Sequence, residues 1–116
     1  MIGLAQHTKV YLAREPIDFR KQIDGLALTV QELLALEPMS AHLFVFRNRR
    51  ADKLKVLYWH GNGFCLLYKR LEKGRFRWPR VETQAAVYSM RELEWLLEGL
   101  NLEALSAPRP LNVTRV

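Results

Sequence analysis

Cysteine occurs once in the 116 residues, at Cys65, so no disulfide can close within the chain. The three histidines, His7, His42 and His60, sit at no zinc-ligand spacing, alone or with that cysteine. Glycine-rich phosphate loops and the G-x-S-x-G turn are missing. No apolar run approaches the roughly 20 residues that span a bilayer. Residues 1–10 lack the apolar stretch of a secretory signal. There are no repeats and no low-complexity stretches. A reduced, cytoplasmic protein is expected, with one domain over 1–106 and a loose tail over 107–116, where two prolines interrupt any pattern. Hydrophobic residues at 49% and charged residues at 26% are the balance of a chain that folds around a core.

Acidic residues are the scarcer charge, 12 against 18 Lys and Arg, and the imbalance is local. Residues 47–80 hold eleven Lys or Arg but only Asp52 and Glu72, a segment charge of +9. The remainder is slightly acidic, at −3. A basic block in an otherwise acidic chain is the footprint of a polyanionic partner, against the plainer reading of a solubilising surface.

Local patterns predict an α+β fold. Lys9–Ala13 reads as a short N-terminal strand. Asp18 has the chemistry of a helix N-cap. Phe19, Ile23, Leu26, Ala27, Val30, Leu33 and Leu34 then step by three and four, predicting a long helix over about 18–36, closed by Pro38. Gly25 within it suggests a close packing contact. Strands follow at Ala41–Arg47, Lys53–His60, Phe64–Glu72 and Arg75–Trp78, a four-strand antiparallel meander. Asn62-Gly63 is the hairpin signal between the second and third, and Lys73-Gly74 the turn after them. Ser89-Met90-Arg91-Glu92 has the form of a capping box, opening a short helix over about 90–99.

Turn lengths assign faces. A two-residue Asn62-Gly63 loop sets Lys55 opposite Arg70, Leu57 opposite Tyr68 and Trp59 opposite Leu66. A two-residue Lys73-Gly74 turn sets Arg70 opposite Arg77, and a five-residue loop over 48–52 sets Arg47 opposite Lys53. On this register Phe44, Phe46, Val56, Leu67 and Phe76 are buried together against Phe19, Ile23 and Val30. The other, accessible face then carries Arg47, Lys53, Lys55, Arg70, Arg75 and Arg77 around Trp59 and Tyr68. Cations that hold phosphates, mixed with rings that stack on bases, suit nucleic acid. The alternative covers Trp59 and Tyr68 with the second helix or a partner. Arg49 and Arg50, adjacent at a hairpin tip, can reach a phosphate or groove. The candidate nucleic-acid-binding set is therefore Arg47, Arg49, Arg50, Lys53, Lys55, Trp59, Tyr68, Arg70, Arg75 and Arg77.

No catalytic residue, metal ligand or cofactor is identified. Cys65 falls opposite His60 but has neither an orienting group nor an oxyanion site. Asp18, Asp24 and Asp52 are read as a cap, a solvated helix residue and a turn residue rather than as a metal set.

Several linked segments resemble a known family. His42-Leu43-Phe44-Val45-Phe46-Arg47-Asn48-Arg49-Arg50 is similar to its HLFVFRGRR-like run, and Lys55 to Gly63 to its K-I-L-x-W-D-x-x-G run. Lys69 to Pro79 matches its KRLE-x-GRF-x-WP run, and Asp18 to Leu26 its D-M-R-K…D-G-L stretch. The likeness extends over about 9–100. The family is the small second-frame protein, called TnpB or Orf-two-like, of IS-sixty-six-type bacterial insertion sequences. The resemblance implies an accessory role in transposition beside a larger, separate transposase, and no catalytic residues. His60 stands where the family usually has Asp, and Ala51 where Gly is common, which implies a stiffer arginine loop. The leading expectation is a non-enzymatic DNA-binding accessory protein. Its rivals are a module that binds the element's transposase without touching DNA, and a metal-dependent nuclease.

Overall fold

The computed structural model describes residues 8–105. His7 and the expected tail over 107–116 lie outside that range. The elements are β1 (Val10–Ala13), α1 (Ile23–Glu32), β2 (Leu43–Arg47), β3 (Lys53–His60), β4 (Gly63–Arg70), β5 (Ala85–Tyr88), α2 (Met90–Leu97) and α3 (Leu102–Leu105). They form one five-stranded sheet in the order β4-β3-β2-β1-β5. β1 and β2 run parallel, joined through α1, and every other neighbouring pair is antiparallel. The expected α+β class holds, but the sheet is mixed rather than an antiparallel four-strand meander. Arg75–Trp78 does not extend it. The fifth strand comes from Ala85–Tyr88, where a four-residue run too short to show a period pairs with β1.

The helices are shorter than the periodicity predicts. α1 starts at Ile23 after Gln22, with no side-chain cap. Asp18 is not its cap, because the Asp18 carboxylate turns to Arg20, accepting the Arg20 backbone N–H at 2.9 Å and pairing with its guanidinium at 2.6 Å. The helix stops at Glu32, before Pro38. Ala35 adopts a left-handed φ of 56°, and the Leu36 N–H returns to the Val30 carbonyl at 3.0 Å. At Gly25 a Cβ would meet the Lys21 Cβ at 3.2 Å, so this glycine does permit a close approach. α2 begins as its sequence predicts. The Ser89 hydroxyl accepts the Glu92 N–H at 3.1 Å, and the Glu92 carboxylate accepts the Ser89 N–H at 2.8 Å.

Both faces of the sheet are covered. On one side Leu26, Val30 and Leu34 pack over Ala13, Phe44, Phe46 and Leu57, with Phe19 and Ile23 at the margin. On the other, Leu93, Leu96 and Leu102 close over Val10, Leu12, Leu43, Val45, Leu54, Val56, Tyr58, Phe76 and Tyr88. The expected cluster therefore divides. Phe44 and Phe46 do lie with Phe19, Ile23 and Val30, whereas Val56, Leu67 and Phe76 lie on the α2 side. The cause is one residue of register. Phe46 stands opposite Lys55 and Arg47 opposite Leu54, and the Asn48 N–H bonds the Lys53 carbonyl at 3.2 Å, so the loop holds four residues, not five. Since successive side chains alternate, that single step moves β2 to the other side of β3.

The β3–β4 hairpin is also displaced, by two residues, with Lys55 opposite Tyr68 and Lys53 opposite Arg70. Its loop is Gly61-Asn62, not Asn62-Gly63. Gly61 has a φ of 62° at the first loop position, where a type II′ turn takes glycine. A shift of two preserves the faces.

Candidate nucleic-acid interface

Lys55 shows most plainly that the expected cationic face is not open. Its side chain is 0% exposed beneath the segment leading into α1. The ammonium donates to the Phe19 carbonyl at 2.9 Å and the Lys21 carbonyl at 2.7 Å, and lies 4.9 Å from the Phe19 ring and 5.2 Å from that of Tyr68. Burial pushes its pKa down, while the two carbonyls favour the charged form. Lys55 is thus a structural tie, and the expectation that it joins Arg70 and Arg77 on an accessible face is corrected. Trp59 is half-buried edge-on against Phe64, with centroids 5.0 Å apart. Tyr68 keeps 52% of its surface exposed while its ring meets Phe19 edge-on at 5.9 Å.

Four of the remaining candidate cations, Arg49, Arg50, Arg75 and Arg77, gather at one end of the sheet. Asn48 fastens the β2–β3 loop, its Oδ1 accepting the Lys53 N–H at 3.0 Å and its Nδ2 donating to Asp52 at 2.6 Å. That second bond, with Arg50 and Lys53 nearby, lowers the Asp52 carboxyl pKa. Ala51 completes the loop at a φ of 59°. Arg49 and Arg50 are left exposed at its tip.

The chain beyond β4 docks on this loop. The Leu71 N–H reaches the Asp52 carbonyl at 2.8 Å, and the Phe76 N–H reaches the Ala51 carbonyl at 2.7 Å. With Phe76 buried, the flanking Arg75 and Arg77 are turned to solvent beside the arginine loop. None of Arg49, Arg50, Arg75 and Arg77 forms an ion pair among the described residues. Exposed Lys73 belongs to the same end, and its place in the run 69–77 was the signal that could have found it.

Other cations are committed elsewhere. Arg70 pairs with Glu72 at 3.1 Å. Lys69 donates to the Leu97 carbonyl at 2.7 Å, satisfying the C-terminal end of α2. Arg47 is half-buried with its guanidinium 5.8 Å from the Trp78 ring, and Trp78 is anchored through Nε1 to the Ala13 carbonyl at 2.9 Å. Burial lowers the Arg47 pKa. Lys53 is half-buried opposite Arg70.

The residues that build this end, Leu43 to Pro79, lie within the longer span that carries the family likeness. The family described as IS66 Orf2 like protein matches residues 8–107. The chain belongs to that family. Two relatives from Sinorhizobium fredii (strain NBRC 101917 / NGR234) are similar along most of their length. Uncharacterized protein y4hO is 43% identical over 101 residues, covering 87% of this chain and 88% of the relative. Uncharacterized protein y4jC is 38% identical over 101 residues, covering 87% and 86%. No solved structure matches the chain. Membership of the IS66 Orf2 like family places the protein among accessory products of insertion sequences. No helix among the described residues is long and apolar enough to cross a membrane. Nor does any group of three His, Cys, Asp or Glu among them sit where it could hold a metal.

Proposed function

We propose that the protein binds DNA in support of transposition, without catalysing strand chemistry, through the cationic end of its sheet. The observation that carries this reading is the placement of Arg49, Arg50, Arg75 and Arg77. Two backbone hydrogen bonds bring the two arginine pairs together, exposed and without ion-pair partners among the described residues. Arginines held on a fixed loop suit phosphate oxygens, which position a duplex without reading its sequence. Lys73 and half-buried Lys53 widen the field around them. Half-buried Trp59, packed against Phe64, and exposed Tyr68, whose ring meets Phe19, act chiefly as structure.

A titration of the purified chain on element-end DNA and on random DNA, each at two salt concentrations, tests the proposal. Affinity that falls steeply with salt is expected. Affinity indifferent to salt counts against it. Magnesium or manganese should elicit no cleavage, and cleavage that follows the protein through purification would favour the nuclease reading.

A module that binds the transposase is the second reading. It is favoured by an open cleft between α1 and the preceding segment, lined by Pro16, Ile17, Leu28 and Leu33 beside Lys21. Leu28 and Leu33 are about half exposed there, at 51% and 46%. Co-purification with the transposase after nuclease treatment, together with no affinity for free DNA, would move the conclusion to it.

A further inference from the structure

β4 ends the sheet, and nothing among the described residues pairs with its outer side. Its backbone alternation follows from the hairpin. A two-residue loop closes on the His60–Gly63 pair, which exchanges hydrogen bonds, so Gly63, Cys65, Leu67 and Lys69 direct their backbone groups to β3. The Leu71 N–H to Asp52 carbonyl bond continues the same alternation. Phe64, Leu66, Tyr68 and Arg70 therefore direct N–H and C=O outward, away from the sheet.

The side chains of this edge are unusual as well. Edge strands exposed to water are commonly short, or interrupted by charge, proline or a bulge. β4 has eight residues, and from Phe64 to Tyr68 it carries none of these devices. Phe64 and Leu66 border the core under α1, and Cys65 and Leu67 border the core under α2, all four only half-buried. Apolar residues on both sides in succession are the pattern of a strand covered on both faces, yet along this edge the two helix layers leave all four partly open. The opposite edge, β5, has only four residues.

We propose that β4 pairs with β4 of a second copy of this chain, antiparallel about a two-fold axis through Leu66, giving a continuous ten-stranded sheet. The strand that fits this edge must be of similar length and apolar on both sides, and β4 is itself such a strand. An axis perpendicular to the sheet keeps equivalent faces on the same side. Leu66 then meets the partner subunit's Leu66, Phe64 meets the partner subunit's Tyr68, and Cys65 meets the partner subunit's Leu67. Arg70 meets the uncharged Asn62 end of the other hairpin. Lys69 is already drawn back to the Leu97 carbonyl, so no like charges oppose one another. The cationic ends of the two subunits then point in opposite directions along the shared sheet. This pairing uses none of Arg49, Arg50, Arg75 and Arg77, so it stands or falls separately from DNA binding.

Sedimentation equilibrium of the full chain is the test. The expected mass is twice 13.6 kDa. Leu66→Lys and Leu66→Glu, each placing like charges face to face on the axis, should separately give folded monomers by circular dichroism. An equimolar mixture of the two should restore the dimer. Tyr68→Pro removes one outward N–H at an edge position that tolerates proline, and it too should be monomeric, which decides the matter if the Leu66 variants fail to fold. A monomeric wild type, an assembly larger than a dimer, a dimer that survives these substitutions, or a charge mixture that stays monomeric would each overturn the proposal.

Discussion

Lys55 is a charged residue that behaves as core. Its ammonium donates to two carbonyls of the turn before α1, tying that segment to the sheet. Lys55→Met keeps most of the volume and removes both bonds, and should lower stability by about 1.5–3 kcal/mol in urea unfolding. An unchanged midpoint would mean that the carbonyls find water instead. This role was not legible in the sequence, where an alternating Lys-Leu-Lys-Val run reads as cations outside and apolar residues inside. The Asp18–Arg20 pair was misread for a related reason, since a short acidic residue before a helix suits a cap and an Asx turn equally. Its hydrogen bonds to Arg20 hold the Asp18 carboxyl at a pKa of about 2, below the ordinary 3.8. The pairing contributes fully above 3.8 and is lost as pH falls through 2. A carboxyl-carbon NMR titration should show this low midpoint, and Arg20→Ala should return it toward 3.8. A midpoint unmoved by that substitution would contradict the assigned cause.

Among the elements, strand identity was readable while register was not. β1, β2, β3 and β4 each carry enough β-branched and aromatic residues to be recognised, and the capping box marked the start of α2. Loop length is harder, because Asn48 and Asp52 bond across their own turn and take one residue out of the apparent loop. Hydrophobic pattern could not correct the slip. With a helix layer on each side, both faces of β2 and β3 are apolar and either parity looks satisfactory. β5 was missed because Ala-Ala-Val-Tyr has no alternation to detect and finds its place by pairing with β1. The arginine loop offers a test at this scale. Ala51 holds a left-handed φ of 59°, a conformation costing a non-glycine residue about 1–2 kcal/mol. Glycine relieves that cost but loses about 0.5–1 kcal/mol in chain entropy. Ala51→Gly should therefore stabilise the fold by about 0.5–1 kcal/mol. Lower stability in thermal unfolding would mean that the loop relaxes to another conformation.

At the level of the whole molecule, charge rather than any single side chain carries the functional account. The excess of Lys and Arg over 47–80 was visible in the sequence, and so was the family likeness that the comparisons bear out. What the sequence concealed was how the excess is spent. Lys55 is consumed in the core, Lys69 at a helix end and Arg70 in an ion pair, while Arg49, Arg50, Arg75 and Arg77 are assembled from two separate segments at one end of the sheet. The most direct measurement is the dependence of DNA affinity on salt, compared between the wild type and a variant with Arg49, Arg50, Arg75 and Arg77 all changed to Ala. Exposed charges contribute little to folding, so the variant should unfold close to the wild-type midpoint. Every phosphate that the protein no longer neutralises takes about 0.9 from the slope of log affinity against log salt. A slope reduced by about 3 to 4, with weaker binding, is the predicted result, and a slope equal to that of the wild type would contradict the proposed interface.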